Sequence, residues 1–466
     1  MKKIFLFIFL SLFLYTQTKG QSVEPFKKGD RVVFAGNSIT EAGFYESYIW
    51  LYYMTRFPEM RIDVFNGGVG GDVAKQIYLR FDGDFLPKKP TVMAITFGMN
   101  DSRYFEYKTP GAAEKVTKEA VQQSFESFLL IQDRFRKMPD VRKIIMTTSP
   151  YDETMIFKDS VKNASNYFPG KSVTIEKIAQ FQEKAAKDNN WEFVDMLRPM
   201  TEINVRNQKI NPEFTLTGPD RIHPGNAGHL VMASLFLKAQ GFQGKPVAEI
   251  KINASKKKVL KSENCTISNL KTSRKSISFD YLAKSLPFPI DTIARVWMNP
   301  HKQSEALDII PFTNDFNKEM LIVKGLKGKS YNVKIDDKTI GTWTALDLAK
   351  GLNLATIPST PQNIQAAEIM NLNQQRYDIE SKFRAYFWIQ YNFLNEKGLL
   401  FDDSEAVKAQ VFATDNPFVR GKKGDYEQIR IKSSREELQL KMDNLIKLIY
   451  EKNIPSIHRI KLEKSK

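Results

Sequence analysis

Residues 31–40 read RVVFAGNSIT, an apolar run that stops abruptly at a glycine, an asparagine and a serine. The first five residues predict a buried strand of a parallel sheet, because the run is short, rich in Val and Phe, and followed by turn residues. Gly36 lets the backbone turn sharply at the carboxyl end of this strand, which places Ser38 at the start of the next helix. Open α/β sheets bind their ligands there. Ser38 therefore has two interpretations: it caps the helix, or it acts chemically at the edge of the sheet.

Apolar, strand-like runs alternate with helical patterns between Arg31 and Gly241. After the first strand, the predicted strands are residues 62–65, 91–97, 143–148 and 191–194. The predicted helices are residues 41–56, 74–80, 113–136, 171–189 and 226–239. This alternation predicts an α/β fold with a parallel sheet and helices on both faces. Five strands joined by right-handed crossovers favour a flavodoxin-like three-layer sandwich.

The ends of these strands carry polar and glycine-rich sequences. NGGVGGD (residues 66–72) follows the second strand, GMND (98–101) the third and SPY (149–151) the fourth, while DRIHPG (220–225) precedes the last helix. All of them are predicted to meet at one edge of the sheet. The glycine-rich stretch lacks the lysine of a P-loop and the GxGxxG spacing of a dinucleotide site. It is either a tight turn or a way to bring a backbone N–H close to a developing oxyanion.

The sequence holds four histidines, and one of them follows an aspartate by three positions. In a turn that leads into a helix, this spacing lets the carboxylate of Asp220 reach the Nδ1–H of His223, which would fix the tautomer of the ring. The alternative is an ordinary surface histidine near a helix start. We predict such a surface position for His229, and His301 and His458 have no comparable neighbours in the sequence.

Together, these segments resemble the sequence blocks of the SGNH (GDSL-type) hydrolases, esterases named for the Ser, Gly, Asn and His of the blocks. GNSIT is similar to the first block, NGGVGGD to the second, GMND to the third and DRIHP to the last, in the family's order. The GxSxG elbow of α/β-hydrolases is absent, because residue 40 is Thr. Asn37 stands where the family usually has Asp, so an acceptor oxygen is kept and a charge is lost.

The resemblance implies a role for each of five residues. Ser38 is the nucleophile, His223 takes its proton and later gives it to the leaving alcohol, and Asp220 orients His223. The backbone N–H groups of Ser38 and Gly71 and the side-chain amide of Asn100 form the oxyanion hole. We expect no metal or other cofactor.

The substrate is also inferred from the resemblance. Family members with a GNSIT-type first block and appended domains act on O-acetylated carbohydrates, so we expect a carbohydrate O-acetylesterase. The alternatives are a catalytically idle carbohydrate-binding protein, or a lysophospholipase or thioesterase on the same scaffold. Aromatic residues after Ser38 could stack on sugar rings, but their helical spacing is more typical of a core, so only one or two of them could face a ligand. These are Phe44, Tyr45, Tyr48, Trp50, Tyr52 and Tyr53.

The first twenty residues predict export. Two lysines, the apolar run 4–15 and the small residues Thr18 and Gly20 are typical of a secretory signal peptide, with cleavage after Gly20. Residue 21, directly after the cleavage site, is Gln and not the cysteine of a lipoprotein, so we expect a secreted or periplasmic protein without a membrane anchor. The single cysteine, Cys265, excludes an intramolecular disulfide. The net charge of +16 is spread over lysines interspersed with glutamates, and it does not predict a nucleic-acid partner.

At 466 residues the chain should hold more than one domain. We predict the signal peptide at 1–20, a catalytic domain at 28–244, a β-rich accessory domain at 245–345 and a helical region at 346–466. The accessory domain should be a small β-sandwich, either a carbohydrate-binding module or a structural buttress. Its two aspartates at 336–337 predict a hairpin turn.

Within the helical region, residues 363–397 predict a long helix and residues 403–424 an irregular segment. Ser433-Ser434 followed by Glu436-Glu437 is a capping-box signature for a helix that runs to about Asn453. The last residues, HRIKLEKSK, are predicted to fray.

Overall fold

The computed structural model describes residues 23–465. The predicted signal peptide at 1–20 and its cleavage site lie outside these residues. Along the part of the chain that is described, a search for a helix that is apolar over the length needed to cross a bilayer finds none.

Five parallel strands form the central sheet, in the order β2-β1-β3-β4-β5. This is the flavodoxin-like order, so the predicted fold class is confirmed. Ala35 of the first strand lies level with Gly67 on one side and Ile95 on the other. The carboxyl ends of these neighbouring strands therefore lie beside each other. The strands are β1 (Arg31–Gly36), β2 (Asp63–Gly68), β3 (Val92–Phe97), β4 (Arg142–Thr147) and β5 (Glu192–Val194).

Helices cover both faces of this sheet. Val32 and Phe34 of β1 pack into one core and Val33 and Ala35 into the other, because successive side chains of a strand point to opposite faces. The first predicted helix is divided in two by Gly43, whose φ is 77°. The helices are α1 (Ser38–Glu41), α2 (Tyr45–Arg56), α3 (Ala74–Leu79), α4 (Ala113–Arg136), α5 (Ser160–Ser165), α6 (Lys171–Asp188), α7 (Leu197–Gln208) and α8 (Asn226–Ala239).

Two further sheets pack face to face as a β-sandwich, as predicted. Ile250 and Leu321 of one sheet share a core with Phe279, Val333 and Ile460 of the other. The sheet orders are β13-β10-β6-β7 and β12-β11-β14-β9-β8. The strands are β6 (Ala248–Asn253), β7 (Lys258–Glu263), β8 (Cys265–Thr272), β9 (Ser276–Ala283), β10 (Glu319–Lys324), β11 (Ser330–Ile335), β12 (Lys338–Thr344), β13 (Leu352–Asn353) and β14 (His458–Lys464).

The hairpin between β11 and β12 turns at Asp336 and Asp337, as predicted. Their φ angles are 49° and 66°, which matches the two left-handed residues of a type I′ hairpin turn.

The prediction that the last residues fray and the prediction that residues 346–466 are helical throughout are both wrong. Residues 458–464 form β14, which lies between β11 and β9 and pairs Ile460 with Ile335 and Phe279. Alternation in this stretch buries Ile460 and Leu462 and turns the charged residues between them outward. The region 346–466 is therefore not purely helical, because the chain returns to the sandwich at its end.

Of the seven remaining helices, the two that the sequence predicted lie close to their predicted places, and the other five were not predicted. The long helix α12 begins at Pro361 behind the cap Thr360. Residues 403–424 are not irregular, because Ser404 and Asn416 cap two helices there. The last helix ends where predicted, but it starts at Lys432 without a side-chain cap, so the predicted capping box is wrong. The helices are α9 (Ala306–Ile309), α10 (Phe312–Phe316), α11 (Ala345–Lys350), α12 (Pro361–Ile389), α13 (Glu405–Ala413), α14 (Pro417–Ile429) and α15 (Lys432–Lys452).

Residues 284–318, between β9 and β10, leave the sandwich and pack on the α/β domain. Phe288, Phe312 and Phe316 join the core that α2 and α8 form with the parallel sheet. The backbone N–H of Leu286 also donates a hydrogen bond of 2.8 Å to the carbonyl of Thr55 in α2. This contact is what the buttress interpretation of the accessory domain predicts.

Candidate active site

The turn from β1 into α1 places Ser38 as the first residue of the helix. The N-cap is Asn37, whose Oδ1 accepts a hydrogen bond from the backbone N–H of Ile39 at 3.1 Å. The capping role considered for Ser38 therefore belongs to its neighbour. Because Asn supplies the acceptor oxygen that a cap needs, the missing carboxylate at position 37 leaves this turn intact.

A serine, a histidine and an aspartate form one hydrogen-bonded chain at this turn. His223 Nε2 lies 2.8 Å from Ser38 Oγ, and His223 Nδ1 lies 2.5 Å from Asp220 Oδ2. The other oxygen, Asp220 Oδ1, accepts the backbone N–H groups of Ile222 and His223 at 3.0 Å each. Burial raises the pKa of Asp220, but its hydrogen bonds and the charge of His223 outweigh burial, and the pKa lies below its usual value. Asp220 is therefore a carboxylate that orients the imidazole.

The glycine-rich stretch forms a tight turn beside α1. Asp72 N–H donates to the carbonyl of Val69 at 3.2 Å, and Gly71 has a φ of 89°. A Cβ at Gly68 would lie 2.0 Å from the backbone nitrogen of Glu41, so only glycine lets α1 approach this closely. Within residues 23–465, no hydrogen-bond acceptor is found for the N–H groups of Ser38 and Gly71. Both can donate to a ligand.

Asn100 lies against the same turn and is held on both sides of its amide. Its Nδ2 donates to the carbonyl of Asp72 at 2.9 Å, and its Oδ1 accepts from the hydroxyl of Tyr104 at 2.6 Å. An amide nitrogen carries two N–H groups, so one remains for a ligand. The structure thus brings Asn100 next to the turn that carries Gly71 and brings Ser38, His223 and Asp220 together.

Three supporting side chains were not predicted. Tyr104 orients the Asn100 amide. Lys171 is fully buried beneath the loop that carries Asn100, where it donates to the carbonyl of Met99 at 2.7 Å and to Ser102 Oγ at 2.6 Å. Burial lowers the pKa of Lys171 well below its usual value. Arg221, between the two triad residues, is buried and donates to the carbonyl of Met155 at 2.7 Å. A lysine at the start of an amphipathic helix normally reaches solvent, so the sequence carried no sign of its burial.

The aromatic residues after Ser38 do not face a ligand. All six are at most 7% exposed and belong to the core between α2, α8 and the sheet. The expectation that one or two of them contact a substrate is wrong, because the short helix α1 and Gly43 turn α2 back onto the sheet.

His229 is buried and not at the surface, which corrects the prediction for this residue. Its ring stacks on Tyr45 with centroids 6.1 Å apart and meets the edge of Phe44 at 5.7 Å. No partner among residues 23–465 bonds to either ring nitrogen. Burial and, to a lesser degree, the charge of His223 lower the pKa of His229 to about 3.

A second serine–histidine–aspartate arrangement lies in the β-sandwich. His458 Nδ1 lies 2.6 Å from Asp336 Oδ2, and His458 Nε2 lies 3.2 Å from Ser456 Oγ. His458 therefore does have neighbours comparable to those of His223, contrary to the prediction. Ser456 precedes a strand rather than a helix, so it lacks the free N–H groups of a first helical turn. Of these two arrangements, only the one around Ser38 combines a triad with donors for an oxyanion.

A metal centre and a ligand cavity are the other two kinds of site that a fold of this type can carry. A search of the described part of the chain finds no group of three or more His, Cys, Asp or Glu side chains that could hold a metal ion. A cavity of about 1020 Å³ lies between α2 and the sandwich, lined by residues that include Tyr52, Arg56 and Lys284. None of Ser38, Asp220 and His223 lines it, so this cavity is separate from the arrangement around Ser38.

Two family models match the chain. A model described as GDSL-like lipase/acylhydrolase matches residues 32–236, which is the α/β domain with all four blocks. A model described as diltiazem deacetylase C-terminal helical domain matches residues 367–454, from α12 to α15.

Several known proteins are similar to the chain. A solved structure described as a gut microbial diltiazem-metabolizing enzyme is 48% identical, with a TM-score of 0.92, over 96% of this chain and 100% of its own. An acetylxylan esterase from Geobacillus stearothermophilus is 26% identical over 46% of this chain and 95% of its own length. An uncharacterized lipoprotein, YqeF, from Bacillus subtilis is 27% identical over 32% of this chain and 59% of its own length.

Proposed function

The chain belongs to the GDSL-like lipase/acylhydrolase (SGNH) family, and from this premise we propose that it is a serine esterase that removes O-acetyl groups. The observation that carries the proposal is the hydrogen-bonded chain from Ser38 Oγ through His223 to Asp220, with separations of 2.8 and 2.5 Å. A serine with an adjacent base, itself oriented by a carboxylate, is the arrangement that nucleophilic acyl transfer requires.

In the first half of the reaction, Ser38 Oγ attacks the ester carbonyl while His223 Nε2 takes the hydroxyl proton. Asp220 stays ionised and stabilises the imidazolium that forms. The carbonyl oxygen becomes an oxyanion, and the N–H groups of Ser38, Gly71 and Asn100 donate to it. When the tetrahedral intermediate collapses, the C–O bond to the alcohol breaks and His223 gives its proton to the leaving oxygen.

In the second half, water replaces the alcohol. His223 takes a proton from the water as its oxygen attacks the acetyl-Ser38 carbonyl, and the same donors stabilise the second oxyanion. Collapse returns the proton to Ser38 Oγ and releases acetate. Every proton is carried by His223, and these steps need no metal ion.

For the natural substrate we propose an O-acetylated carbohydrate. The acetylxylan esterase that resembles the α/β domain supports this substrate class. The predicted signal peptide supports a secreted or periplasmic location, where such polymers are met. A small aromatic acetate such as diltiazem is the second candidate, favoured by the 48% identity to a diltiazem-metabolizing enzyme across both the α/β domain and the helical region.

The test compares p-nitrophenyl esters from acetyl to decanoyl. We expect the wild-type protein to prefer acetyl, and we expect Ser38→Ala and His223→Ala each to lower kcat by at least about 10⁴-fold. Ser456→Ala and His458→Ala are matched controls, because they remove the same residue types from the second arrangement. Both controls should retain wild-type activity.

Each other outcome has a distinct meaning. A preference for decanoyl would support the lysophospholipase or thioesterase alternative, and activity that survives in Ser38→Ala would remove Ser38 from the mechanism. A wild-type protein that binds acetylated xylooligosaccharides and hydrolyses no acetate would be an idle binding protein. Acetate release from these oligosaccharides and from diltiazem then ranks the two substrate candidates.

A further inference from the structure

The peptide group between Gly70 and Gly71 is held by side chains that lie more than 300 positions later in the chain. The carbonyl oxygen of Gly70 accepts a hydrogen bond from Trp388 Nε1 at 2.9 Å and another from Asn392 Nδ2 at 3.3 Å. Trp388 lies near the end of α12, and Asn392 lies in the helical turn that follows it. The helical region therefore contacts the turn from which the oxyanion donor Gly71 comes.

A planar trans peptide group points its C=O and N–H in opposite directions. Two donors that hold the Gly70 carbonyl on the side of the helical region therefore direct the Gly71 N–H away from that region. The same N–H has no acceptor among the residues described. It is the group that the proposed mechanism uses for the oxyanion.

This peptide has two low-energy orientations in the free turn. The turn Val69–Asp72 closes with a hydrogen bond of 3.2 Å, and the φ of 89° at Gly71 fits a type II turn. A type I turn has the same ends, but its central peptide is flipped, with φ near −90° at the third residue. Glycine at both central positions tolerates either form. Local sequence alone thus leaves the direction of the Gly71 N–H undecided.

The other side of Gly70 is tied down as well. Its N–H donates to Glu41 Oε2, and Glu41 Oε1 accepts from Lys422 of α14 at 2.5 Å. Trp388 packs tightly here, with its side chain 7% exposed in a core that also contains Val69. The turn is therefore held between α1 and the helical region.

We propose that Trp388 and Asn392 are positioning residues that lock the Gly70–Gly71 peptide in the orientation that presents the Gly71 N–H to the oxyanion. The inference rests on the proposed function, because it assigns Gly71 to the oxyanion hole. Hydrogen bonds to the Gly70 carbonyl also polarise the peptide and strengthen its N–H as a donor. The helical region thereby acts in the chemical step and not only in stability.

The test removes the donors and keeps the packing as far as possible. Trp388→Phe deletes the indole N–H, and Asn392→Leu deletes the amide. Tyr377→Phe is the matched control, because it deletes a hydrogen bond of 2.8 Å from the same helix to the carbonyl of Ala42, away from the glycine turn. We measure kcat and KM on p-nitrophenyl acetate per active site, counting sites by complete labelling of Ser38 with a fluorophosphonate, together with the melting temperature.

We expect the Trp388→Phe/Asn392→Leu protein to lose about 10-fold or more in kcat per labelled site, because removing one oxyanion donor outright lowers kcat about 10²–10³-fold. KM should stay within about twofold, since the donor acts on the transition state. Tyr377→Phe should keep wild-type kcat. A merely structural role would reduce the number of labelled sites and leave kcat per site unchanged.

The proposal is overturned if kcat per labelled site is unchanged in the double variant, or if Tyr377→Phe lowers it equally. If Trp388→Phe does not fold, Asn392→Leu alone decides, because its half-buried side chain contributes little to the core. Two failures can be told apart. A wild-type protein that hydrolyses no acetate would contradict the proposed function itself. An active wild type with equally active variants would contradict only the role of Trp388 and Asn392.

Discussion

A buried histidine one turn into α8 shows how much an environment changes a single residue. His229 has aromatic rings on two sides, and no hydrogen-bond partner is described for its ring. Removal from water disfavours the charged imidazolium, which is why the pKa falls to about 3. His229 therefore acts as a neutral, flat core residue beside the active site.

The same shift predicts acid sensitivity. In the unfolded chain a histidine has a pKa near 6.5, so between pH 6.5 and about 3 the unfolded state binds a proton that the folded state does not. The free energy of unfolding therefore falls as the pH is lowered through this window. At pH 4.5 we expect His229 to account for about 2–3 kcal/mol of the loss relative to pH 7.5.

The measurement is urea unfolding of the wild type and of His229→Leu at both pH values. Between pH 7.5 and pH 4.5, the free energy of unfolding of the variant should fall by about 2–3 kcal/mol less than that of the wild type. Asp72 and Glu319, whose pKa values burial raises to about 7, contribute with the opposite sign in both proteins and cancel in the comparison. Equal losses in the two proteins would contradict the prediction.

At the level of elements, a buried charge cluster joins the segments on either side of α3 to α12. Arg384 of α12 binds both oxygens of Asp84 at 2.9 Å, and Arg80 binds Asp84 at 2.6 Å and Asp72 at 2.7 Å. Arg80 also donates to the carbonyl of Gly36 at 3.0 Å, immediately before the turn that carries Ser38. Although burial raises the pKa of Asp84, the charges of Arg384, Lys88 and Arg80 outweigh it and hold the pKa well below its usual value.

Asp84→Asn should therefore be strongly destabilising, because it leaves three cations in a buried site. We expect a loss of about 3–5 kcal/mol in the free energy of unfolding at pH 7. Asp82→Asn is the matched control two positions away, since Asp82 is 79% exposed and pairs with Arg134 at the surface. Its loss should stay below about 1 kcal/mol. Equal losses in urea unfolding would show that the buried cluster does not stabilise the fold.

For the whole molecule, the return of the chain to the β-sandwich is the main organising feature. After β13 the chain leaves the sandwich, and it returns at residue 458, where β14 becomes an interior strand of the five-stranded sheet. The helical region is thereby attached at both ends, and α12 can hold the glycine turn of the α/β domain while its sequence neighbours lie in the sandwich.

Ile460→Ala tests the importance of this strand. Ile460 is fully buried between the two sheets, so its truncation should lower the free energy of unfolding by about 2–5 kcal/mol. Lys461→Ala, at the next position and facing outward, should change it by less than about 0.5 kcal/mol. Thermal unfolding of both variants measures the two losses. If the strand were frayed, both losses in the free energy of unfolding would be small and similar.

Much of the fold was predictable because it depends on local periodicity. Apolar runs and helical patterns located the five parallel strands and five of the eight helices around them, and right-handed crossovers predicted the flavodoxin-like topology. The irregular segment 403–424 and the frayed end were wrong for opposite reasons. Polar caps hid two short helices, and the strand β14 finds its partners more than a hundred residues away.

The sequence by itself determined the fold class and the convergence of Ser38, Gly71, Asn100 and the Asp220–His223 pair, because strand ends of a parallel sheet must meet at one edge. Only the tertiary structure decided which groups hold that site. Trp388 bonds to Gly70 across 318 positions, and such a partner is specified by the packing of α12 on the α/β domain. A local sequence pattern cannot specify a contact between residues so far apart in the chain. Such a contact forms only when the two elements that carry the residues pack together and exclude water.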